Sequence, residues 1–186
     1  MRSKQSDTNR GNLFMTENEV VRESIAQSLL LLMGTESLDK ITVVELTRKA
    51  GVSRMSFYRN FESKEDVLAA YTERVFRDFL HRIPDFTELK VLEDSKVFFS
   101  YLRHYELLMK NLVKANLFGI FSDIFSRYFA TLFVDVYKLD RNSDYRSYEL
   151  TYRVGGLANI IFMWVQNDFR ETDEQMADVF RYLYEL

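Results

Sequence analysis

Four times in this chain a Ser or Thr is followed three residues later by Glu, Gln or Asp at the head of a run with apolar residues every three or four positions. The pairs are Thr16 and Glu19, Thr42 and Glu45, Ser63 and Asp66, and Thr172 and Gln175. Such a pair can satisfy two orphan amides reciprocally, so each marks a helix start. The first predicts a helix with the stripe Val21, Ile25, Leu29 and Leu32 or Met33, which Gly34 would end in a left-handed turn. The second predicts a short helix through Val43, Leu46 and Ala50 that Gly51 ends, and Ser53 caps a third over Arg54 to Asn60. The fourth runs from Ser63 through Val67, Leu68, Tyr71, Val75, Phe76 and Phe79 until Pro84 closes it. One Pro and 6 Gly in 186 residues are too few for the turns of a sandwich or barrel, so the predicted class is all-α.

The helical period continues beyond Pro84. Phe98, Tyr101, Leu102, Tyr105, Leu108, Met109 and Leu112 predict one amphipathic helix, and Leu117, Phe121, Ile124, Phe125, Tyr128 and Phe129 predict a central one. Residues 141–144 read as a polar loop before a long helix carrying Tyr148, Tyr152, Gly155, Gly156 and Phe162, and Thr172 caps a last helix with Val179, Phe180 and Leu183. No apolar run approaches the ~18 to 20 residues of a membrane span, and the first fifteen residues lack the apolar centre of a signal peptide. The chain has no Cys, which fits a reducing cytoplasm.

Charge is divided unevenly. Residues 1–83 hold 13 Lys and Arg against 12 Asp and Glu, whereas residues 84–186 hold 12 against 16, within a total of −3. Residues 40–64 alone hold 6 basic against 2 acidic side chains, while 21 of the 28 aromatic residues lie beyond Pro84. The basic stretch coincides with a short helix, a Gly-containing turn and a second short helix between Ile41 and Phe61, the layout of a helix-turn-helix. Ala50, Gly51 and Val52 are small or β-branched at the elbow, and Arg54, Met55, Ser56, Tyr58 and Arg59 fall on the second helix. Arg can address guanine edges or clamp phosphate, Tyr can donate to phosphate, and Lys64 lies at a helix start suited to an anion.

The runs Ile41-Thr42-Val43, Ala50-Gly51-Val52-Ser53, Phe57-Tyr58-Arg59-Asn60-Phe61 and Ser63-Lys64-Glu65-Asp66-Val67-Leu68 resemble, in order and spacing, the DNA-binding segment of the TetR family of bacterial transcriptional regulators. The resemblance covers about Asn18 to Phe79. It implies a three-helix DNA-binding module joined to a helical domain that dimerises through its last two long helices and often encloses an inducer pocket. It also implies that Arg54 to Arg59 form the recognition helix, that Thr42 and Tyr58 contact phosphate, and that Lys64 caps the DNA-facing helix. Met55 departs from the smaller residue frequent in relatives. The expected DNA-binding residues are therefore Thr42, Ser53, Arg54, Met55, Ser56, Tyr58, Arg59 and Lys64, on a palindromic double-stranded operator.

The expected organisation is a flexible arm over 1–15, a DNA-binding domain over 16–83 and a regulatory, dimerising domain over 84–186. Arg2, Lys4 and Arg10 make the arm a minor-groove candidate, with a plain disordered tail as the other reading. Phe98, Tyr101, Tyr105, Phe121, Phe125, Tyr128, Phe162 and Trp164 are candidates for lining a small-molecule pocket, although aromatic stripes at helical spacing also build plain core. Gly155, Gly156 and Ala158, flanked by Phe162 and Val165 and joined by Val179, Phe180 and Leu183, are candidates for a homodimer interface, because Gly inside a helix asks for a close approach or a kink. His81 and His104 stand alone on separate helices, and no phosphate-cradling Gly loop is present. Neither an enzyme, nor a metal site, nor a bound cofactor is expected. The reading is a repressor released by a small-molecule effector, with a constitutive DNA-binding or scaffold protein on the same fold as the alternative.

Overall fold

A computed structural model describes residues 16–82, 95–136 and 144–184. The arm with Arg2, Lys4 and Arg10, the boundary at Pro84 and most of the loop at 141–144 lie outside the described residues. Within them the chain forms nine helices: α1 (Glu17–Met33), α2 (Val43–Ala50), α3 (Arg54–Asn60), α4 (Lys64–Arg82), α5 (Ser95–His104), α6 (Glu106–Lys114), α7 (Phe118–Val136), α8 (Arg146–Gln166) and α9 (Asp173–Tyr184).

The helix starts follow the caps. Thr16 Oγ1 accepts from the Glu19 amide at 3.2 Å while Glu19 Oε2 accepts from the Thr16 amide at 2.7 Å. Thr172 and Gln175 repeat this exchange at 3.2 and 2.9 Å. Thr42, Ser53 and Ser63 each accept one amide three residues on, at 3.0 to 3.1 Å. Gly51 ends α2 with φ +68, a left-handed conformation that a side chain would strain.

Three expectations need correction. Gly34 is right-handed, with φ −61, because the Thr35 and Glu36 amides both turn back onto the Leu32 carbonyl and no left-handed residue is needed. The expected single helix over Phe98 to Leu112 is two, broken at Tyr105 (φ −97, ψ 30). The break redirects the chain, so that α5 packs on α9 while α6 packs on α8 and α1. Finally, α8 runs through Gly155 and Gly156 as one uninterrupted helix, so the alternative of an interruption there is not realised.

One core runs through both halves. Ile25, Leu29, Leu46, Phe57, Val67 and Leu68 are buried around α1 to α4, and farther along α4 Phe76 meets Phe121, Phe125 and Phe129 of α7 with ring centroids 5.6 to 5.7 Å apart. Thus the first half of α4 belongs to the helix-turn-helix core and the second half to the aromatic core.

A second link is polar. The last carbonyls of any α-helix have no partner within it, and α1 carries no basic residue in its last turn. Helix α6 supplies what is missing: buried Asn111 donates to the Leu30 carbonyl at 3.0 Å, and the Lys114 ammonium donates to the Met33 carbonyl at 2.6 Å. A cation at a helix C-terminus also suits the macrodipole. Replacing Asn111 by Ala removes the donor and leaves a buried carbonyl unsatisfied. Urea unfolding is expected to show a loss of about 1–3 kcal/mol, against about 0.3–1 kcal/mol for Lys114→Met at the rim.

Candidate nucleic-acid interface

The geometry of α3 follows from two buried rings. Phe57 is fully buried and Phe61 nearly so, their centroids 6.1 Å apart, which turns the opposite face of the helix to solvent. The Arg22 guanidinium of α1 lies 4.4 Å from the Phe61 ring centre and donates to the Asn60 carbonyl at 2.9 Å. Asn60 in turn donates to the Ser56 carbonyl at 2.8 Å. The helix is thereby anchored at its far end.

On the outer face Arg54 and Arg59 are exposed, Met55 is 76% and Tyr58 60% exposed, and Ser56 is half-buried. Thr42 and Ser53 are exposed at the caps of α2 and α3, where their hydroxyls accept local amides and keep their own hydrogen free. Arg48 and Lys49, which lie outside the motif runs, are exposed on the last turn of α2. None of Arg48, Lys49, Arg54 and Arg59 forms an ion pair among the described residues. By contrast Arg74, Arg103, Arg127, Arg153, Arg170 and Arg181 each sit on a carboxylate. The four cations on the outer face of the helix-turn-helix are therefore available to phosphate.

Lys64 stands apart from the other seven candidates. Its ammonium donates to the carbonyls of Ile41 at 2.6 Å and of Leu38, with Asp39 at 3.4 Å. It bolts the α1–α2 connection onto the start of α4, so its charge is engaged by the protein's own backbone.

The eight aromatic candidates divide. Phe98, Phe121 and Phe125 are buried ring against ring, the last two stacked at 5.8 Å, and Phe125 stacks on Phe129 at 4.5 Å. Tyr101 donates to the Val75 carbonyl at 3.0 Å, and burial, with a hydrogen bond to Tyr105, pushes its hydroxyl well above the usual tyrosine range. Tyr128 donates to Glu73 at 3.2 Å; burial and the Glu73 charge raise its pKa as well. Trp164 faces another way: its indole N–H donates to the Glu171 carbonyl at 2.9 Å, and its ring lies between Phe99, Phe169 and the Arg103 guanidinium. Phe162 lines an open cleft of about 470 Å³ with Asn116, Phe118, Asn159 and Gln166, whereas Tyr105 lines a separate one of about 330 Å³ with Tyr71, Arg74 and His104. Among the described residues the eight are thus spread over the aromatic core, the Trp164 cluster and two separate clefts.

The expected dimer residues also separate. Ala158, Phe162, Val165 and Phe180 are buried in the chain's own core, and Gly156 and Val179 are exposed, with Gly155 and Leu183 between. The reason is helical phase, because Ala158, Phe162 and Val165 share the face of α8 that packs on α6 and α7. On the opposite face Tyr145, Tyr148, Tyr152 and Met163 are 54% to 79% exposed, and on α9 Tyr182 is 65% exposed. A Cβ on Gly155 or Gly156 would meet nothing within 4 Å, so no close approach among the described residues accounts for them.

No group of three or more His, Asp or Glu able to hold a metal occurs among the described residues, and no described helix is long and apolar enough to cross a membrane.

Residues 30–71 match the family model of bacterial regulatory proteins, tetR family. That match spans the end of α1, the helix-turn-helix and the first half of α4, so the segment is similar to the family's DNA-binding module. Solved structures share the fold along nearly the whole chain at low identity. Lin0861 from Listeria innocua is 14% identical, with a TM-score of 0.69, 94% of this chain and 95% of that one being covered. The dihydroxyacetone kinase operon activator DhaS is 17% identical with a TM-score of 0.63, covering 88% and 93%. The TetR family repressor AlkX from Dietzia sp. is 15% identical with a TM-score of 0.56, covering 91% and 94%. No curated protein sequence matches the chain.

The different placement of Lys64 and Arg54 is measurable. Lys64→Met is expected to destabilise the protein by about 1–2 kcal/mol through the orphaned carbonyls of Leu38 and Ile41 while leaving the salt dependence of DNA binding unchanged. Arg54→Ala should do the reverse, lowering the slope of log K against log salt with no change in Tm.

Proposed function

We propose that the chain is a homodimeric DNA-binding repressor that acts in the cytoplasm on a palindromic operator and is released by a small-molecule effector. The observation that carries the DNA half of the reading is the cluster of unpaired cations on the outer face of the TetR-family module. Thr42, Ser53, Arg54, Met55, Ser56, Tyr58 and Arg59 contact DNA in this reading, Arg54 and Arg59 at base edges or phosphate and Thr42 and Tyr58 at phosphate.

Dimerisation has a physical motive. One seven-residue helix touches too few base pairs for selection in a genome. Two helices related by a two-fold axis read half-sites about 34–36 Å apart. The surface that supports this reading is the exposed tyrosine-rich face of α8 and α9, where Tyr148, Tyr152, Met163 and Tyr182 join the expected Gly156 and Val179, while Ala158, Phe162, Val165 and Phe180 are buried in the chain's own core. Gly156 lies on this exposed face, where a partner's backbone approaching closely would explain a glycine in mid-helix.

The repressor part of this reading is supported by analogy with AlkX, named a TetR family repressor. A second reading, control without a small molecule, is favoured by the ring-on-ring filling of the aromatic core between α4 and α7. The two differ in whether metabolites weaken operator binding.

The test is selection of binding sequences from random duplexes at two salt concentrations, with Arg54→Ala and Tyr58→Ala in parallel. A sequence-selective, salt-weakened complex is expected, with a loss of about 1–3 kcal/mol for Arg54→Ala. Unselective binding that neither substitution alters would refute the reading. In sedimentation, the wild type should run as a dimer and Tyr152→Glu as a folded monomer; a wild-type monomer bound at one half-site would remove the dimer.

A further inference from the structure

Among the described residues, the most exposed large apolar side chain other than a tyrosine is Met55, at 76%, and it stands in the middle of the charged outer face of α3. It takes no part in the core, since Phe57 alone on this helix is fully buried. At helical spacing Met55 shares a face with Tyr58 and Arg59, three and four residues on, and follows Arg54 directly. A methionine there is framed by cations that draw the helix onto a polyanion yet cannot itself contact phosphate favourably. The apolar group that a major groove offers is the C5 methyl of thymine, which cytosine lacks. Methionine is unbranched and its thioether is polarisable, so it can follow such a methyl across the groove floor.

From this we infer that Met55 is a specificity-determining residue: its side chain packs on a thymine methyl in each half-site, so the operator carries thymine at one fixed position per half-site. The inference rests on the DNA-binding reading above and adds to it the chemistry of one base pair. Arg54 and Arg59 then supply attraction and any guanine contacts, while Met55 supplies discrimination between T·A and C·G without a hydrogen bond.

The experiment takes a duplex selected by the wild-type protein and replaces its thymines by uracil one at a time, a change that removes one methyl and preserves every hydrogen-bonding edge. Binding is measured by fluorescence anisotropy for wild type, Met55→Ala and Met55→Leu. At one position per half-site, uracil is expected to weaken wild-type binding about fourfold, the worth of one methyl group withdrawn from water. Met55→Ala should bind thymine and uracil equally there, with its salt slope unchanged, and Met55→Leu should keep part of the preference. This coupling between protein and base separates the contact from any effect of uracil on DNA shape. Wild-type indifference to uracil at every position, or a thymine preference that survives intact in Met55→Ala, would overturn the inference while selective, Arg54-dependent binding left the DNA-binding reading standing. Failure to select any sequence would overturn both.

Discussion

Carbonyls that α1 and its following loop cannot satisfy themselves set the relation between the two halves of this molecule. Leu30 and Met33 at the end of α1 receive donors from Asn111 and Lys114, eighty-one residues away. Leu38 and Ile41, leading into the helix-turn-helix, receive the Lys64 ammonium from the head of α4. A buried carbonyl without a partner is expensive, so these donors restrict where α2 and α3 can sit relative to α4 and α6. The direction of the recognition helix is thereby tied to helices outside its own module.

Mechanical consequences follow from this tie. Helix α4 has one half in each core, its Phe76 wedged among three rings of α7, while α6 grips α1 through polar contacts. A displacement of α6 or α7 cannot be absorbed by a soft linker at those two points. The turn between α8 and α9 is held as firmly: Asp168 and Phe169 both have positive φ, and Arg103 of α5 donates to the Phe169 and Glu171 carbonyls and to Asp173. Lys110 of α6 adds an ion pair to Asp168. The surface proposed for dimerisation is thus strapped to α5 and α6, the latter of which also caps α1. In the proposed dimer, half-site spacing and core geometry become coupled quantities, the condition under which a ligand with unequal affinity for two states would alter DNA affinity.

Legibility in the sequence tracked the range of the interactions. Caps are local, and Thr16, Thr42, Ser53, Ser63 and Thr172 all fell where their spacing placed them. Gly51 was equally legible, because only a left-handed residue closes that elbow. What escaped was set by partners distant in the chain. Tyr105 interrupts an apolar period that continues unbroken on either side, since α5 and α6 pack on different neighbours. The phase of α8 was ambiguous because Tyr148 and Tyr152 on one face and Ala158 and Phe162 on the other are all apolar or aromatic, and burial of the second set was decided by α6 and α7. Lys64, placed among the DNA-contacting residues by its position at a helix start, has partners that escape local spacing because these carbonyls precede it by 23 to 26 residues.

Net charge is a poor guide to a protein of this kind, and the distribution of ion pairs explains why. A chain with total charge −3 should be repelled by DNA if its charges were spread evenly. Here most described arginines of the second segment are neutralised by neighbouring carboxylates, as in Arg103 with Asp173 and Arg181 with Asp178. The acidic excess beyond residue 84 stays uncompensated. Unpaired Arg48, Lys49, Arg54 and Arg59 lie together on α2 and α3. Repulsion of the second segment and attraction of this face act in the same sense on an approaching duplex, turning the helix-turn-helix toward it. Each arginine paired elsewhere is also one fewer site for unspecific phosphate contact, so attraction is concentrated where the side chains can reach base edges.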